Sequence, residues 1–123
     1  GLVMVNLGCE FLSQHSAATS PWINPSLPKD ARCAQASIDD VVAHIDHIRR
    51  IAGIDAVGLG TDFDGVECVP QGLDDTSKWP NLTRKLLEKG YSPSDIRKVY
   101  GQNMLRFMRS VEQAARSLGG KPF

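Results

Sequence analysis

Little in this chain points to a charged partner or to a membrane. Its 14 basic and 14 acidic residues cancel, so no field of one sign steers it toward nucleic acid or an anionic lipid surface. No apolar run approaches the roughly 20 residues that a membrane-spanning helix needs. Cysteine is scarce and odd in number. Cys9, Cys33 and Cys68 form no C-x-x-C pair, which argues against a zinc knuckle or a thioredoxin-like motif. Two readings of them stand open: three reduced thiols, or bonds to cysteines outside this stretch. There is no initiator Met and no signal peptide, and Gly1 leads straight into an apolar run. The chain therefore reads as the middle of a longer protein. Internal repeats and low-complexity tracts are absent. A hydrophobic content of 41% with 23% charge is ordinary for a globular domain, and 123 residues suit one small domain or part of a larger one.

What is present is a β/α pattern. Leu2 to Leu7 is a continuous apolar run, as expected of a strand buried on both faces. Residues 8–36 show no sustained periodicity and contain Pro21, Pro25 and Pro28, so a lid, a binding loop or disorder is expected there. Ser37 and Asp40 form a capping-box pattern. Ile38, Val41, Val42, Ile45, Ile48 and Ala52 then recur at helical spacing until Gly53 stops the helix. A second strand is expected over Asp55–Gly60, adjacent and parallel to the first and joined to it through helix 37–52. A long loop, Thr61 to Pro80, follows. Asn81 is expected to cap a helix running to about Lys89, Ser92-Pro93-Ser94-Asp95 starts another, and this breaks near Gly101 to resume over 102–118. In that last helix Leu105, Met108, Val111 and Ala115 make an apolar stripe, and Met104, Phe107 and Met108 read as core packing rather than a cofactor box. Residues 119–123 are expected to fray. Asn81-Leu82-Thr83 fits the glycosylation triplet, but at a helix start it carries little weight.

The informative string is Gly58-Leu59-Gly60-Thr61-Asp62-Phe63-Asp64-Gly65. An apolar strand running directly into paired carboxylates is the pattern of a site at the carboxyl end of a strand. Side chains alternate along a strand. Val57 and Leu59 thus share one face, and Ala56, Gly58 and Gly60 the other, which continues to Asp62. In a barrel the small-residue face crowds the axis, and Asp62 would point into the mouth. The alternative is that Asp62 and Asp64 are ordinary turn residues.

His44-Ile45-Asp46-His47 contains both H-x-D and H-x-x-H, patterns that bind zinc in the right setting. On a helix, positions two apart project about 200° apart and cannot converge on one ion. His44 and His47 fall on the flank and back of the apolar stripe, so they read as surface or helix-capping residues. No zinc site is expected within this segment.

Five stretches resemble one family. Gly1-Leu2-Val3-Met4-Val5-Asn6, the run from Asp40 to Ile48, Val57-Gly58-Leu59-Gly60-Thr61-Asp62-Phe63-Asp64-Gly65, the run from Gly72 to Leu82, and Gly101-Gln102-Asn103-Met104-Leu105-Arg106 are similar to the membrane dipeptidase (renal dipeptidase) family of zinc peptidases. The similarity runs in order through residues 1–118, with 8–36 departing most.

The resemblance implies a fold class. That is α/β, the last two βα units at the C-terminal end of a TIM-type (β/α)8 barrel, with 1–118 as a partial hydrolase domain and 119–123 as a tail. It implies a dipeptide substrate, completion of the barrel by a missing N-terminal part, and room for a homodimer, while whether the parent is anchored, secreted or cytosolic stays open. It also implies two Zn2+ ions whose ligands, an H-x-D pair, a bridging Glu and two His, all lie upstream, so this segment supplies no metal ligand and no catalytic residue. The position it carries over is Asp62, which in the family binds the free amino group of the dipeptide. Cys33 falls one residue out of register with a family cysteine that bonds to one upstream. The competing reading is a truncated, non-catalytic α/β remnant that serves as an interaction module.

Overall fold

A computed structural model of the chain describes residues 1–120, and residues 121–123 of the expected frayed tail lie outside them. The architecture is mixed α/β. Strand β1, Val3–Val5, pairs in parallel with β2, Val57–Leu59, in the register Val3 to Val57 and Val5 to Leu59. The two expected strands are thus adjacent and parallel, though each is shorter than its apolar run. The backbone ladder nevertheless continues: Gly60 N–H donates to Val5 O at 2.9 Å and Leu7 N–H to Thr61 O at 3.2 Å. The stretch before β2 is a 3-10 turn, Ile54–Ala56, rather than extended chain.

Residues 8–36 are not structureless. They contain two short helices, α1 at Cys9–Leu12 and α2 at Gln14–Thr19. Ser13 caps α2 by accepting from Ser16 N–H at 3.2 Å. Helix α3, Ile38–Ala52, starts and stops as its sequence predicts, and Ser37 and Asp40 exchange both capping-box bonds. Val41, Val42 and Ile45 are fully buried, Ile38 and Ile48 pack at the edge of the core, and Ala52 at the end of the stripe is exposed.

Helix α4 runs Trp79–Glu88, starting three residues earlier than a cap at Asn81 would give. Its start is set by the 3-10 turn Thr76–Lys78, which Asp75 caps through Ser77 N–H at 2.7 Å, and by Pro80 in the first turn. Asn81 therefore lies inside the helix, where it donates to Gly72 O at 2.9 Å. Thr83 Oγ1 is engaged with the Trp79 carbonyl and the Tyr100 hydroxyl. The glycosylation triplet is thus committed to internal bonds.

Helix α5, Pro93–Arg97, begins with a second capping box from Ser92 and Asp95. A π-turn over Lys98–Gln102 produces the expected break at Gly101, and α6 follows at Asn103–Ser117. The apolar stripe of α6 is not core: Leu105, Phe107, Met108 and Val111 are all exposed. Gly119 and Gly120 N–H groups close the end of α6 by donating to Arg116 O and Ala115 O.

The core lies on one side of the sheet, where Val5, Leu7 and Val57 meet Val41, Val42 and Ile45 of α3, Leu82 and Leu86 of α4, and Ile96 and Val99. On the other side Met4 lies across β2. A Cβ at Gly60 would sit 2.9 Å from Met4 Cβ, so that position needs to lack a side chain, whereas one at Gly58 would meet only the flexible Met4 sulfur. The expected division of β2 into a bulky and a small face is what the strand presents.

Tyr91, only 3% exposed, links α3 to the turn before α5. Its hydroxyl donates to Asp46 Oδ1, and the Arg49 guanidinium lies 4.5 Å over its ring. Burial, with the Asp46 carboxylate adding to it, pushes the phenol up to about 12. The folded state therefore favours the neutral phenol. That stabilisation is complete below the unfolded value near 10 and is lost as pH rises through the folded value. Denaturant midpoints of the intact protein are expected to fall between about pH 10 and 12, and Tyr91→Phe is expected to remove that part of the slope. A slope unchanged by the substitution would count against this account.

Candidate functional site

The carboxyl ends of β1 and β2 lie side by side and bring together two residues that are far apart in sequence. Asn6 directly follows β1, and Asp62 lies three residues beyond the end of β2. Asn6 Nδ2 donates to Asp62 Oδ2 at 3.0 Å, and Asn6 Oδ1 accepts from Gly8 N–H at 2.6 Å. Asp62 is exposed and adopts φ 61°, the one positive φ outside glycine among the described residues. Asp tolerates this left-handed region better than most residues because its short side chain bonds locally.

The turn after Asp62 is fixed from both ends. Gly65 N–H donates to Asp62 O at 2.9 Å. Between them Phe63 turns inward and packs against Trp79 with ring centroids 6.2 Å apart, and Trp79 in turn meets Tyr100 at 5.8 Å. The Asp-Phe-Asp-Gly turn is thus clamped to α4 through an aromatic side chain while its carboxylates stay in solvent. Asp64 is likewise exposed.

Asp62 and Asp64 open onto a cleft of about 440 Å³ shared with Glu10, Glu67, Phe11 and Trp22. A disulfide between Cys9 and Cys68 joins its walls, with Cα atoms 5.4 Å apart and Cys9 N–H donating to Cys68 O at 3.0 Å. This corrects the reading of three reduced thiols, and it also removes Cys9 and Cys68 from pairing outside the segment. The pairing arises because the loops that leave β1 and β2 run together. Cys33 carries a free thiol in the wall of a neighbouring cavity of about 530 Å³. Burial, reinforced by the Glu10 carboxylate, holds that thiol above its ordinary value.

His44 and His47 both lie exposed on α3. His44 donates through Nε2 to Leu12 O at 3.2 Å, while His47 Nδ1 accepts from Arg50 at 3.1 Å. Among the described residues, no three of His, Cys, Asp and Glu converge to hold a metal ion, so a zinc ion does not fit the side chains of this segment alone.

The profile of the membrane dipeptidase family (peptidase family M19) matches residues 1–121. The chain belongs to this family. Dipeptidase tcpJ of Claviceps purpurea (strain 20.1) is 38% identical over 100 residues, which are 81% of this chain and 22% of that protein. Among solved structures, the dipeptidase AC, a metallo peptidase of the same family, superposes with a TM-score of 0.65 at 29% identity over 84% of this chain and 26% of its own. A metallo peptidase from Rhodobacter sphaeroides, liganded with a phosphinate mimic of the dipeptide L-Ala-D-Ala, does so with a TM-score of 0.65 at 30% identity, over 85% of this chain and 25% of its own. The chain thus spans about a quarter of the length of these relatives.

Strand parity in the sequence singled out Asp62, and the structure places its exposed carboxylate against Asn6. Sequence reasoning missed Asn6 as a partner, although Asn6 has the same parity on β1; that the two strands pair side by side and end together was the missing piece. It also missed the role of Asn103 in the resembling run 101–106. Asn103 is 1% exposed and gives both amide hydrogens to backbone carbonyls, Ile54 O at 2.7 Å and Val57 O at 2.8 Å. Arg106 reaches Asp55 O. Three carbonyls around the start of β2 are therefore satisfied from α6.

Proposed function

We propose that this chain is the part of a zinc-dependent dipeptidase that receives the amino end of its substrate, and that its two strands are the last two of a (β/α)8 barrel. Asp62 pairs with the free ammonium group of a dipeptide. The observation that carries this reading is the Asp62 carboxylate, exposed and hydrogen-bonded at the joined carboxyl ends of β1 and β2, in a chain that belongs to a dipeptidase family. A carboxylate there makes a charge-assisted bond to an ammonium and measures the substrate from its N-terminal end. The dipeptide mimic held by the Rhodobacter relative supports a ligand of that size. The zinc ligands, two ions' worth, belong to chain upstream of this segment. What this segment does is bind and orient the substrate.

The test is direct. The intact protein is expected to hydrolyse dipeptides with a free amino terminus, to lose that activity on chelation, and to regain it with zinc. Absence of hydrolysis, or hydrolysis indifferent to chelation, would overturn the assignment.

A further inference from the structure

We propose that Asn6 and Gly65 are positioning residues that aim the Asp62 carboxylate, so that recognition of the substrate amino group depends on them although neither touches the substrate. The inference rests on the role proposed for Asp62. An exposed Asp ordinarily samples several side-chain rotamers, and a binding group is useful only when held close to its working geometry. Here one carboxylate oxygen is held by a hydrogen bond, and the other fits where it does because position 65 has no side chain.

Oδ2 is held by a hydrogen bond. Asn6 Nδ2 donates to it at 3.0 Å, and the orientation of that amide is itself fixed, because Asn6 Oδ1 accepts from Gly8 N–H at 2.6 Å. A reversed amide would set N–H against N–H at Gly8 and oxygen against oxygen at Asp62, so the polarity of the pair follows from the backbone. Oδ1 is accommodated rather than held. It occupies the space beside Gly65 where a Cβ would stand, closer than real Cβ contacts allow. Any side chain at position 65 must therefore displace the carboxylate. The Gly65 N–H bond to Asp62 O at 2.9 Å keeps the glycine in place.

Chemically the arrangement leaves acceptor capacity for an ammonium. Each carboxylate oxygen offers about two lone-pair sites, and Asn6 takes one of them on Oδ2. Because Asn6 donates and carries no charge, it orients Asp62 without competing for the substrate cation. A lysine or arginine in its place would neutralise the anchor.

The experiment uses the intact protein and two substrates: a dipeptide with a free α-amino group, and the same compound with that group replaced by hydrogen. Asn6→Leu keeps the side-chain size and removes the donor; Gly65→Ala keeps the charge and fills the space; Asp62→Asn is measured alongside. An interaction made equally in ground and transition states appears in KM rather than kcat. Both Asn6→Leu and Gly65→Ala are expected to raise KM for the free-amine substrate roughly 3–20-fold with kcat little changed, and to leave the deaminated substrate nearly unaffected. Equal losses on both substrates would make the residues merely structural and overturn the inference. If Asp62→Asn erases the preference for a free amine while Asn6→Leu and Gly65→Ala preserve it, the inference fails and the role of Asp62 stands. If Asp62→Asn itself preserves the preference, both fall.

Discussion

Replacing Asp62 by Asn in the intact protein is expected to lower kcat/KM for dipeptides about tenfold to a hundredfold while leaving fold and bound metal unchanged. The substitution keeps the size of the side chain and removes its charge. A hydrogen bond to a charged group contributes roughly 1.5–3 kcal/mol, which corresponds to that range of rate. Metal content should not change, because the zinc ligands are proposed to lie outside this segment. Substrates without an amino group never make the contact and should lose far less. Asp64→Asn is the control: it shares the cleft but lies beyond the Asn6 bond, so its effect should be smaller and less dependent on the substrate. Unimpaired dipeptide hydrolysis by Asp62→Asn, or loss of metal together with activity, would show the assigned role to be wrong.

The second large effect is on stability. Asn103→Leu is expected to destabilise the intact protein by roughly 2–6 kcal/mol, because the Ile54 and Val57 carbonyls both lose their buried amide donor and each such loss costs about 1–3 kcal/mol. Leu matches Asn approximately in size, so cavity formation contributes little. Asn103→Asp should be at least as harmful, since it sets a carboxylate against two carbonyl oxygens. Arg106→Ala removes a bond at an exposed site and should cost under about 1 kcal/mol. The measurement is a denaturant titration of each variant. A midpoint for Asn103→Leu indistinguishable from the parent would refute the account.

Features decided by neighbouring residues were legible in the sequence; features decided by tertiary pairing were not. The capping boxes at Ser37–Asp40 and Ser92–Asp95 are three-residue chemistry, so the starts of α3 and α5 could be read directly. The start of α4 could not, because Asp75 caps a 3-10 turn that leads straight into the helix, with Pro80 in its first turn ahead of the cap expected at Asn81. In 8–36 the helices are too short for periodicity to register. Their one local signal was Ser13 three positions before Ser16. The period of α6 was evident, but a period says which face is apolar and not what lies against it; Leu105 and Met108 remain more than half exposed. At the site, parity singled out Asp62, whereas its bond to Asn6 and the Cys9–Cys68 bond depend on how the loops that leave the paired strands run together. Membership of the dipeptidase family was carried by the quoted runs, above all the stretch from Val57 to Gly65.

The Cys9–Cys68 bond also closes a covalent ring. The chain between the two sulfurs includes α3, β2 and the exposed, proline-bearing stretch around Trp22 and Pro25. A peptide bond cut in that stretch opens the ring without dividing it. Glu10 and Glu67 stay opposite one another across the cleft, and β1 stays tethered to β2 by sulfur as well as by its ladder. A protease acting there creates two new termini but only one molecule.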